Sequence, residues 1–294
     1  MKILITGASG LVGKALVHEL EQRYEIVPLS RTQSSGKPFW NPEHGVINPK
    51  DFEGVEAVIH LAGESIVEGR WSEEIKDKIM NSRVHSTRLL VDTLAQMQQK
   101  PAVLISASAV GYYGNRGDAW LDENSSSGTG FLPEVCRHWE NASQPATAAG
   151  IRLVNTRIGL VLSKHGGALK RMLLPFKLGV GGQLGSGHQY MSWIAINELT
   201  RIFEFLIKHP EINGPVNVTA PNPVTNAEFT SALGKALFRP AILKLPAFLP
   251  KMAIGEVADE LLFASARVKP QKLLDAGYSF QYDTILPALK AVTS

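Results

Sequence analysis

The chain opens with Met1–Gly13, MKILITGASGLVG, and this stretch decides the fold class. Met1–Ile5 is a short apolar run that ends at a glycine turn, a pattern typical of a buried strand. A helical pattern of apolar residues begins at Leu11, and Glu25–Leu29 has the character of a second strand. The order strand, glycine turn, helix, strand predicts the first βαβ unit of an α/β fold with a doubly wound parallel sheet.

The glycine turn has the spacing needed to hold a pyrophosphate. Gly7 permits a tight turn, Gly10 lets the backbone approach the phosphates, and Gly13 lets the helix pack close to the sheet. Unsatisfied N–H groups at the start of the helix attract the anion. We therefore predict a dinucleotide site formed by Thr6, Gly7, Ser9, Gly10, Leu11, Val12 and Gly13.

The spacing Gly-x-x-Gly-x-x-Gly resembles the extended short-chain dehydrogenase/reductase superfamily, which shares it with nucleotide-sugar epimerases. The resemblance implies a Rossmann fold and a nicotinamide cofactor. Leu61, Ala62 and Gly63 end a buried apolar run and match the superfamily's Ala-Gly turn against the cofactor. Arg83 lies in a long helical region that passes near the cofactor phosphates in the extended reductases. Glu64 either faces the cofactor or is a solvated loop carboxylate.

The end of the second predicted strand indicates which cofactor is used. NAD-preferring sites usually have Asp or Glu there, whereas this chain has Ser30 and Arg31. A guanidinium can pair with a 2′-phosphate and stack on adenine. These two residues therefore favour NADP(H) over NAD(H), and Lys37 adds charge nearby. The alternative is that Arg31 is a solvated loop residue.

The stretch after Val103–Ser108, a buried run ending in hydroxyl groups, resembles the Ser-Ser-x-x-Val-Tyr-Gly segment of extended reductases. It has one extra residue. We expect Ser106 to lie against the cofactor. The resemblance places Ser108 on a reacting substrate oxygen, and the alternative is a strand-end hydroxyl that caps the backbone. Tyr112 or Tyr113 would then transfer the proton.

The usual Tyr-x-x-x-Lys dyad is missing. Alignment on Glu140 places Leu132 at the tyrosine position and Cys136 at the lysine position, and no Tyr-x-x-x-Lys follows Tyr112. Leucine has no proton to give, and a buried cysteine is neutral unless something activates it. Three alternatives remain: proton transfer by Tyr112 or Tyr113 with Ser108, proton transfer by Arg137 or His138, or cofactor binding without turnover.

A glycine-rich stretch at Gly179–Gly187 precedes three predicted substrate-binding residues, His188, Gln189 and Trp193. This region resembles the G-x-Q-x-R-D-F segment of extended reductases. Met191 replaces the arginine that commonly meets a nucleotide diphosphate, which argues against a nucleotide-sugar substrate.

Three further motifs resemble a small atypical subgroup of extended reductases, labelled nucleoside-diphosphate-sugar-epimerase-like, with its own C-terminal domain. They are RIGxVLSxxGGAL from Arg157, GGxLGxGxQ from Gly181 and PxPVTNAEF from Pro221. The resemblance covers essentially the whole chain. It implies NADPH binding but supplies no substrate.

The 294 residues fit two domains at about 150 residues each. We expect an NADP-binding Rossmann domain at 1–160, to which part of 195–220 returns. A smaller α+β substrate-binding domain would occupy 161–294. If the chain forms a homodimer, we expect the interface to be built from the helical regions Trp71–Gln99 and Phe131–Ala149.

Composition limits the classes of partner. A formal net charge of +3 is too small to predict nucleic-acid binding, and one cysteine excludes a disulfide framework and a cysteine-based zinc site. No metal is expected. The chain has neither a long apolar stretch nor a signal peptide, so we expect no membrane partner and a cytoplasmic location.

Two functions follow from these features. The first is an NADP(H)-dependent oxidoreductase or epimerase acting on a small carbonyl, hydroxyl or sugar-like substrate. The alternative is a non-catalytic NADPH-binding protein with a regulatory or redox-sensing role.

Overall fold

The computed structural model describes residues 1–33, 36–67 and 70–294. The strands in chain order are β1 (Lys2–Thr6), β2 (Glu25–Leu29), β3 (Trp40–Asn41), β4 (Val46–Ile47), β5 (Ala57–His60), β6 (Val103–Ala109), β7 (Trp120–Leu121), β8 (Arg152–Ile158), β9 (Leu160–Leu162), β10 (Gly182–Leu184), β11 (Tyr190–Met191), β12 (Trp193–Ala195), β13 (Gly214–Val218), β14 (Val224–Thr225), β15 (Leu243–Leu245) and β16 (Arg267–Val268). The helices are α1 (Leu11–Leu20), α2 (Glu73–Gln96), α3 (Phe131–Ser143), α4 (Pro145–Ala148), α5 (Gly167–Lys177), α6 (Ile196–Lys208), α7 (Asn226–Leu237), α8 (Phe248–Ile254), α9 (Glu256–Ala258), α10 (Gln271–Asp275) and α11 (Ile285–Thr293).

The central sheet has six parallel strands in the order β13-β8-β6-β5-β1-β2. The chain proceeds outward from β1 to β2, then crosses to β5 and continues in the opposite direction. The strand order therefore reverses between β1 and β5. Ligands of doubly wound folds bind outside the carboxyl ends of the strands at such a reversal. This arrangement confirms the predicted α/β fold with a doubly wound Rossmann sheet.

Both faces of the sheet are covered, which explains the nearly continuous apolar runs of its inner strands. On one face α1 and α6 pack against side chains such as Ile5, Ile59 and Ile105. On the other face α2 and α4 cover Leu4, Val58 and the alternate residues of the neighbouring strands. The sheet is therefore buried on both faces, and its carboxyl edge is where a doubly wound fold would bind a ligand.

The C-terminal half forms a second apolar core around α5, α7 and α11. Trp193, Phe229 and Leu289 are among its fully buried members. The chain also returns to the first half, because β13 pairs with β8 and β16 pairs with β7. Within the described ranges, no helix is both long and apolar enough to span a lipid bilayer.

Candidate functional site

The turn between β1 and α1 leaves no room for a side chain at Gly7 or Gly13. Gly7 has a φ of 68°, which favours glycine, and its carbonyl accepts a hydrogen bond from the Gly10 N–H at 3.0 Å. A Cβ added to Gly13 would lie 2.2 Å from the Gly7 oxygen and 2.6 Å from the Ala8 Cα. Helix α1 therefore packs directly on the turn.

The N-terminus of α1 is open toward the carboxyl edge of the sheet. Gly10 is its N-cap, and within the part of the chain that the structure describes no side chain caps the helix. The backbone N–H groups of the first turn are therefore free to bind an anion. Ser9 and Gly10 are exposed, while Leu11 and Val12 are half-buried. Leu11 also lies beside Gly166, where α5 begins.

Thr6 ties the ends of the two strands at the reversal point together. It is fully buried, and its Oγ1 accepts hydrogen bonds from the Leu61 N–H at 3.1 Å and the Ala62 N–H at 3.3 Å. A Cβ on Gly7 would lie 2.9 Å from the Leu61 carbonyl carbon. The structure thus brings the predicted turns at Gly7 and Ala62 into direct contact.

His60 completes a buried chain of hydrogen bonds beneath this contact. The Thr6 hydroxyl donates to His60 Nδ1 at 2.7 Å, and His60 Nε2 donates to Thr87 Oγ1 at 2.9 Å. We assign these directions because the Thr87 hydroxyl itself donates to the Arg83 carbonyl at 2.6 Å. Burial lowers the pKa of His60 to about 3, so the ring is neutral.

His60 makes the stability of the fold depend on pH. The unfolded histidine binds a proton below pH ~6.5, whereas the folded one stays neutral down to about pH 3. The unfolded state therefore holds more protons in this window, and stability falls as the pH drops from ~6.5 toward 3. We expect His60 to contribute about 1.4 kcal/mol per pH unit there. Urea unfolding from pH 7 to pH 4 measures this slope.

The matched comparison is between two single variants, His60→Gln and His44→Gln, since His44 is exposed. His60→Gln lowers stability at pH 7 but removes its share of the slope, whereas His44→Gln retains the wild-type slope. Equal slopes in the wild type and both variants would contradict a neutral buried His60.

Arg31 follows β2 at the outer side of the site. Its Nη1 donates to Glu64 Oε1 at 2.7 Å, and both side chains are substantially exposed. Half-buried Ser30 accepts a hydrogen bond from the Thr32 N–H through its hydroxyl. Glu64 follows Gly63, so the ion pair bridges the carboxyl ends of β2 and β5 above the reversal point.

Arg83 reaches from α2 to the same edge. Its Nη2 donates to the Glu64 carbonyl at 2.9 Å, and a Cβ on Gly63 would lie 3.2 Å from its guanidinium carbon. The guanidinium also lies 5.1 Å from the Trp139 ring centre. Burial lowers the pKa of Arg83. Arg83 therefore supports the Ala62–Glu64 turn from below.

Ser108 is hydrogen-bonded to a buried ion pair between Glu140 and Arg157. Its hydroxyl donates to Glu140 Oε1 at 2.7 Å, and the same carboxylate accepts from Arg157 Nε and Nη2 at 2.9 Å each. Burial alone would lower the pKa of Arg157, but the hydrogen bonds and charge of Glu140 raise it overall. Because the Ser108 proton is held by Glu140, it is not offered to a substrate.

Tyr113 and Tyr112 have opposite surroundings. Tyr113 is fully buried, and its hydroxyl donates to Asn217 Oδ1 at 2.7 Å and accepts from Arg157 Nη1 at 3.0 Å. Burial raises its pKa to about 12. Tyr112 is only half-buried, and its ring stacks 3.5 Å from the guanidinium carbon of Arg157. Within the described residues, no hydrogen-bond partner occupies the Tyr112 hydroxyl.

The dyad positions lie on the first turns of α3. Leu132 and Cys136 are buried and face Gly111. Burial raises the pKa of the Cys136 thiol to about 12, so it is protonated and no nucleophile. The Glu260 carboxylate accepts hydrogen bonds from the Phe131 and Leu132 N–H groups at 2.7 Å each. A residue of the C-terminal half thus caps the helix.

Two of the three residues predicted to bind substrate are buried and hydrogen-bonded to backbone carbonyls. Trp193 is fully buried in the C-terminal core, and its indole N–H donates to the Asn222 carbonyl at 3.1 Å. Gln189 is buried, and its amide donates to the Leu184 and Leu262 carbonyls. His188 is exposed. Trp193 is therefore enclosed by the C-terminal core, and Gln189 joins the end of β10 to the segment around Leu262.

Ser106 is also enclosed. Its side chain is fully buried, and its hydroxyl finds no hydrogen-bond partner within the described ranges. The residues that the sequence reasoning missed are His60, Thr87, Arg157 as the partner of Glu140, and Glu260. A histidine inside the apolar run Ala57–Leu61 is the one signal that could have marked His60 as hydrogen-bonded.

The comparisons with known proteins agree with this geometry. Residues 3–219 match the model of the NAD dependent epimerase/dehydratase family, a range that contains all but the first residue of the six-stranded sheet. The chain belongs to this family. Residues 245–292 match a further model, described as a domain of unknown function (DUF1731). These matches confirm the predicted family and its separate C-terminal domain.

Individual relatives of this family member cover nearly the full chain. It is 44% identical to an epimerase family protein of Mycobacterium bovis, over 99% of this chain and 97% of the relative. The crystal structure of human epimerase family protein SDR39U1 with NADPH has a TM-score of 0.92 and 32% identity, covering 99% of each chain. UDP-N-acetylglucosamine 4-epimerase from Bacillus cereus, covering 99% of this chain and 98% of its own, shares the fold alone, with 14% identity and a TM-score of 0.77.

Proposed function

We propose that this chain is an NADP(H)-dependent oxidoreductase or epimerase that acts on a small carbonyl, hydroxyl or sugar-like substrate without a Tyr-x-x-x-Lys dyad. The observation that carries the proposal is the uncapped N-terminus of α1 above the Gly7, Gly10 and Gly13 turn. We assign cofactor binding to residues 1–160 and substrate binding mainly to 161–294. The NADPH in the crystal structure of the human relative supports NADP(H) as the cofactor.

The residues present fit a phosphorylated dinucleotide. The turn is held tightly against its own backbone, since a Cβ at Gly7 or Gly13 would lie within 3 Å of Leu61 or Gly7 backbone atoms, and the first-turn N–H groups of α1 suit a pyrophosphate. Arg31 is exposed at the end of β2, where a 2′-phosphate can replace its Glu64 partner. When bound, the nicotinamide supplies or accepts a hydride.

Tyr112 is the residue we assign to proton transfer. Of the three hydroxyl groups predicted to act on the substrate, those of Ser108 and Tyr113 have buried protein partners. The Tyr112 hydroxyl is the remaining donor, and Arg157 fixes its ring from one face. Arg137 and His138 lie on exposed positions of α3, and His138 is within 3.7 Å of Glu134.

A second candidate function is NADPH binding without turnover, in a regulatory or redox-sensing role. The observation that favours it is the buried ion pair of Glu140 and Arg157, which holds Ser108 next to the inert Cys136. The tests below distinguish the two functions.

Arg31→Ala is expected to weaken NADPH binding about 30-fold, because a charge-assisted contact to a phosphate contributes about 2 kcal/mol. NADH lacks the 2′-phosphate, so its affinity should change little. Calorimetric titration with both cofactors measures the difference. An equal loss for NADPH and NADH would remove the 2′-phosphate assignment from Arg31.

Glu64→Gln is the matched control for this contact. It removes the competing carboxylate while keeping the shape, so NADPH should bind up to about fivefold more tightly. Weaker NADPH binding in this variant would mean that Glu64 itself contacts the cofactor.

Tyr112→Phe is expected to reduce turnover by about 10²- to 10⁴-fold with unchanged NADPH affinity, because it removes the general acid or base. The measurement is NADPH oxidation with a panel of small carbonyl compounds. Wild-type turnover in Tyr112→Phe would exclude the assigned role. An inactive wild type across the panel, combined with tight NADPH binding, would favour the second candidate function.

A further inference from the structure

Large apolar side chains collect on one surface of the C-terminal half. The most exposed are Phe238 at 84%, Ile242 at 83% and Leu178 at 69%. Val180 and Leu243 are exposed in the same two segments. The segments are joined, because Arg239 Nε donates to the Lys177 carbonyl at 3.0 Å and Gly182 pairs with Leu243. We call Leu178, Val180, Phe238, Ile242 and Leu243 the exposed apolar face.

Phe238 is held on this face against a backbone preference. It ends α7 with a φ of 54° and a ψ of 43°, in the left-handed region where glycine is the usual residue. Within the described ranges it is the one non-glycine residue with positive φ. Its ring nevertheless projects into solvent beside a shallow groove of about 500 Å³. Strain retained for an exposed aromatic side chain indicates a role outside folding.

The rim of the face carries only positive charge. Lys177, Lys235, Arg239 and Lys244 are exposed along it, and none of them forms a salt bridge within the described part of the chain. The sequence contains no Asp or Glu between residues 161 and 197 or between 229 and 255. These two segments supply the whole face.

This charge pattern decides what can cover the face. A second copy related by two-fold symmetry would bring two cationic rims together, which is unfavourable. An anionic phospholipid surface instead offers phosphate groups to the cations and an acyl boundary to the apolar side chains. We propose that the exposed apolar face docks peripherally on a membrane surface rich in anionic phospholipids.

The proposal departs from the expectation that the chain has no membrane partner. That expectation rested on the lack of a long apolar segment, and hydropathy along the sequence detects spanning helices only. Here the apolar side chains come from two separate segments and meet only in the folded chain. The proposal does not depend on the cofactor or on turnover.

The test is sedimentation of the full chain with phosphatidylcholine vesicles that contain about one third phosphatidylglycerol. We expect binding to these vesicles at low salt, none to pure phosphatidylcholine, and release in about 1 M salt, where the Debye length is only about 3 Å. Lys177→Gln with Lys244→Gln should weaken binding about 30-fold, at about a factor of five per cation.

Phe238→Asn with Ile242→Ser should abolish binding without unfolding the chain. Both side chains are exposed, and asparagine tolerates a positive φ. A thermal melt of this double variant checks that the fold is intact. The matched charge control is Lys78→Gln with Arg88→Gln on the exposed side of α2, which should bind vesicles like the wild type.

Three outcomes would overturn the proposal. One is no binding to the anionic vesicles at low salt, and another is an equal loss in the α2 control variant. The third is that light scattering shows the wild type to be a dimer and the double variant Phe238→Asn with Ile242→Ser to be a monomer. That result would mean that a second copy of the chain covers the exposed apolar face.

Discussion

Gly13→Ala is expected to abolish measurable NADPH binding and to lower the free energy of unfolding by about 3 kcal/mol. The added Cβ would lie 2.2 Å from the Gly7 oxygen and 2.6 Å from the Ala8 Cα. Both neighbours are backbone atoms, so the overlap cannot be relieved by rotating a side chain. Helix α1 would have to move away from the turn, and the N–H groups that we assign to the pyrophosphate would move with it. Calorimetric titration with NADPH and urea unfolding measure the two effects.

Gly10→Ala is the control that separates the two effects. Its φ of −74° is ordinary for alanine, and the new Cβ would lie 3.3 Å from the Gly7 oxygen. The fold should therefore tolerate the change, while the methyl group obstructs a phosphate at the helix N-terminus. We expect weaker NADPH binding with nearly unchanged stability. Wild-type NADPH affinity in both variants would exclude this turn as the cofactor site.

Arg157→Met is expected to destabilise the chain by about 3–5 kcal/mol, because it leaves the Glu140 carboxylate buried without its cation. Both side chains of the pair are at least 90% buried, and the two contacts from Arg157 measure 2.9 Å each. The substitution also removes the cation stacked on the Tyr112 ring. Urea unfolding measures the loss of stability.

The double variant Arg157→Met with Glu140→Gln should recover much of that stability, since no uncompensated charge stays buried. Lys251→Gln is the surface control. Lys251 contacts Asp259 at 2.6 Å, but both side chains are about half exposed, so the loss should stay below about 1 kcal/mol. If Arg157→Met and Lys251→Gln lowered the free energy of unfolding equally, burial would not determine how much the Glu140–Arg157 pair contributes to stability.

The geometry of the glycine turn could be predicted from sequence because its determinants are local. Gly7, Gly10 and Gly13 lie within one turn and the start of one helix, and their steric requirements follow from their spacing. Arg31 lies two residues after the end of β2, so its place at the sheet edge also follows from the chain. Its contact with Glu64 joins residues 33 positions apart, and the sequence left that side chain undecided.

The rest of the site depends on long-range packing. Glu140 served only as an alignment anchor, although it binds Ser108 from 32 residues away and Arg157 from 17 residues away. Trp193 follows a glycine-rich stretch that is typical of a pocket. Residues of α5, α7 and α11 enclose it, and nothing within its own segment reveals that they do. An apolar residue near a predicted site can therefore be assigned to the pocket or to the core only when its packing partners are known.

The cap that Glu260 places on α3 bears on how chimaeras of this family should be made. A boundary at residue 245, where the second family model begins, looks like a natural place to exchange C-terminal domains between relatives. The exchanged piece would carry both oxygens that hold the Phe131 and Leu132 N–H groups. A graft without a carboxylate at this place would leave the helix that carries Leu132 and Cys136 uncapped. The two halves match separate family models, but α3 in the first half takes its N-terminal cap from Glu260 in the second.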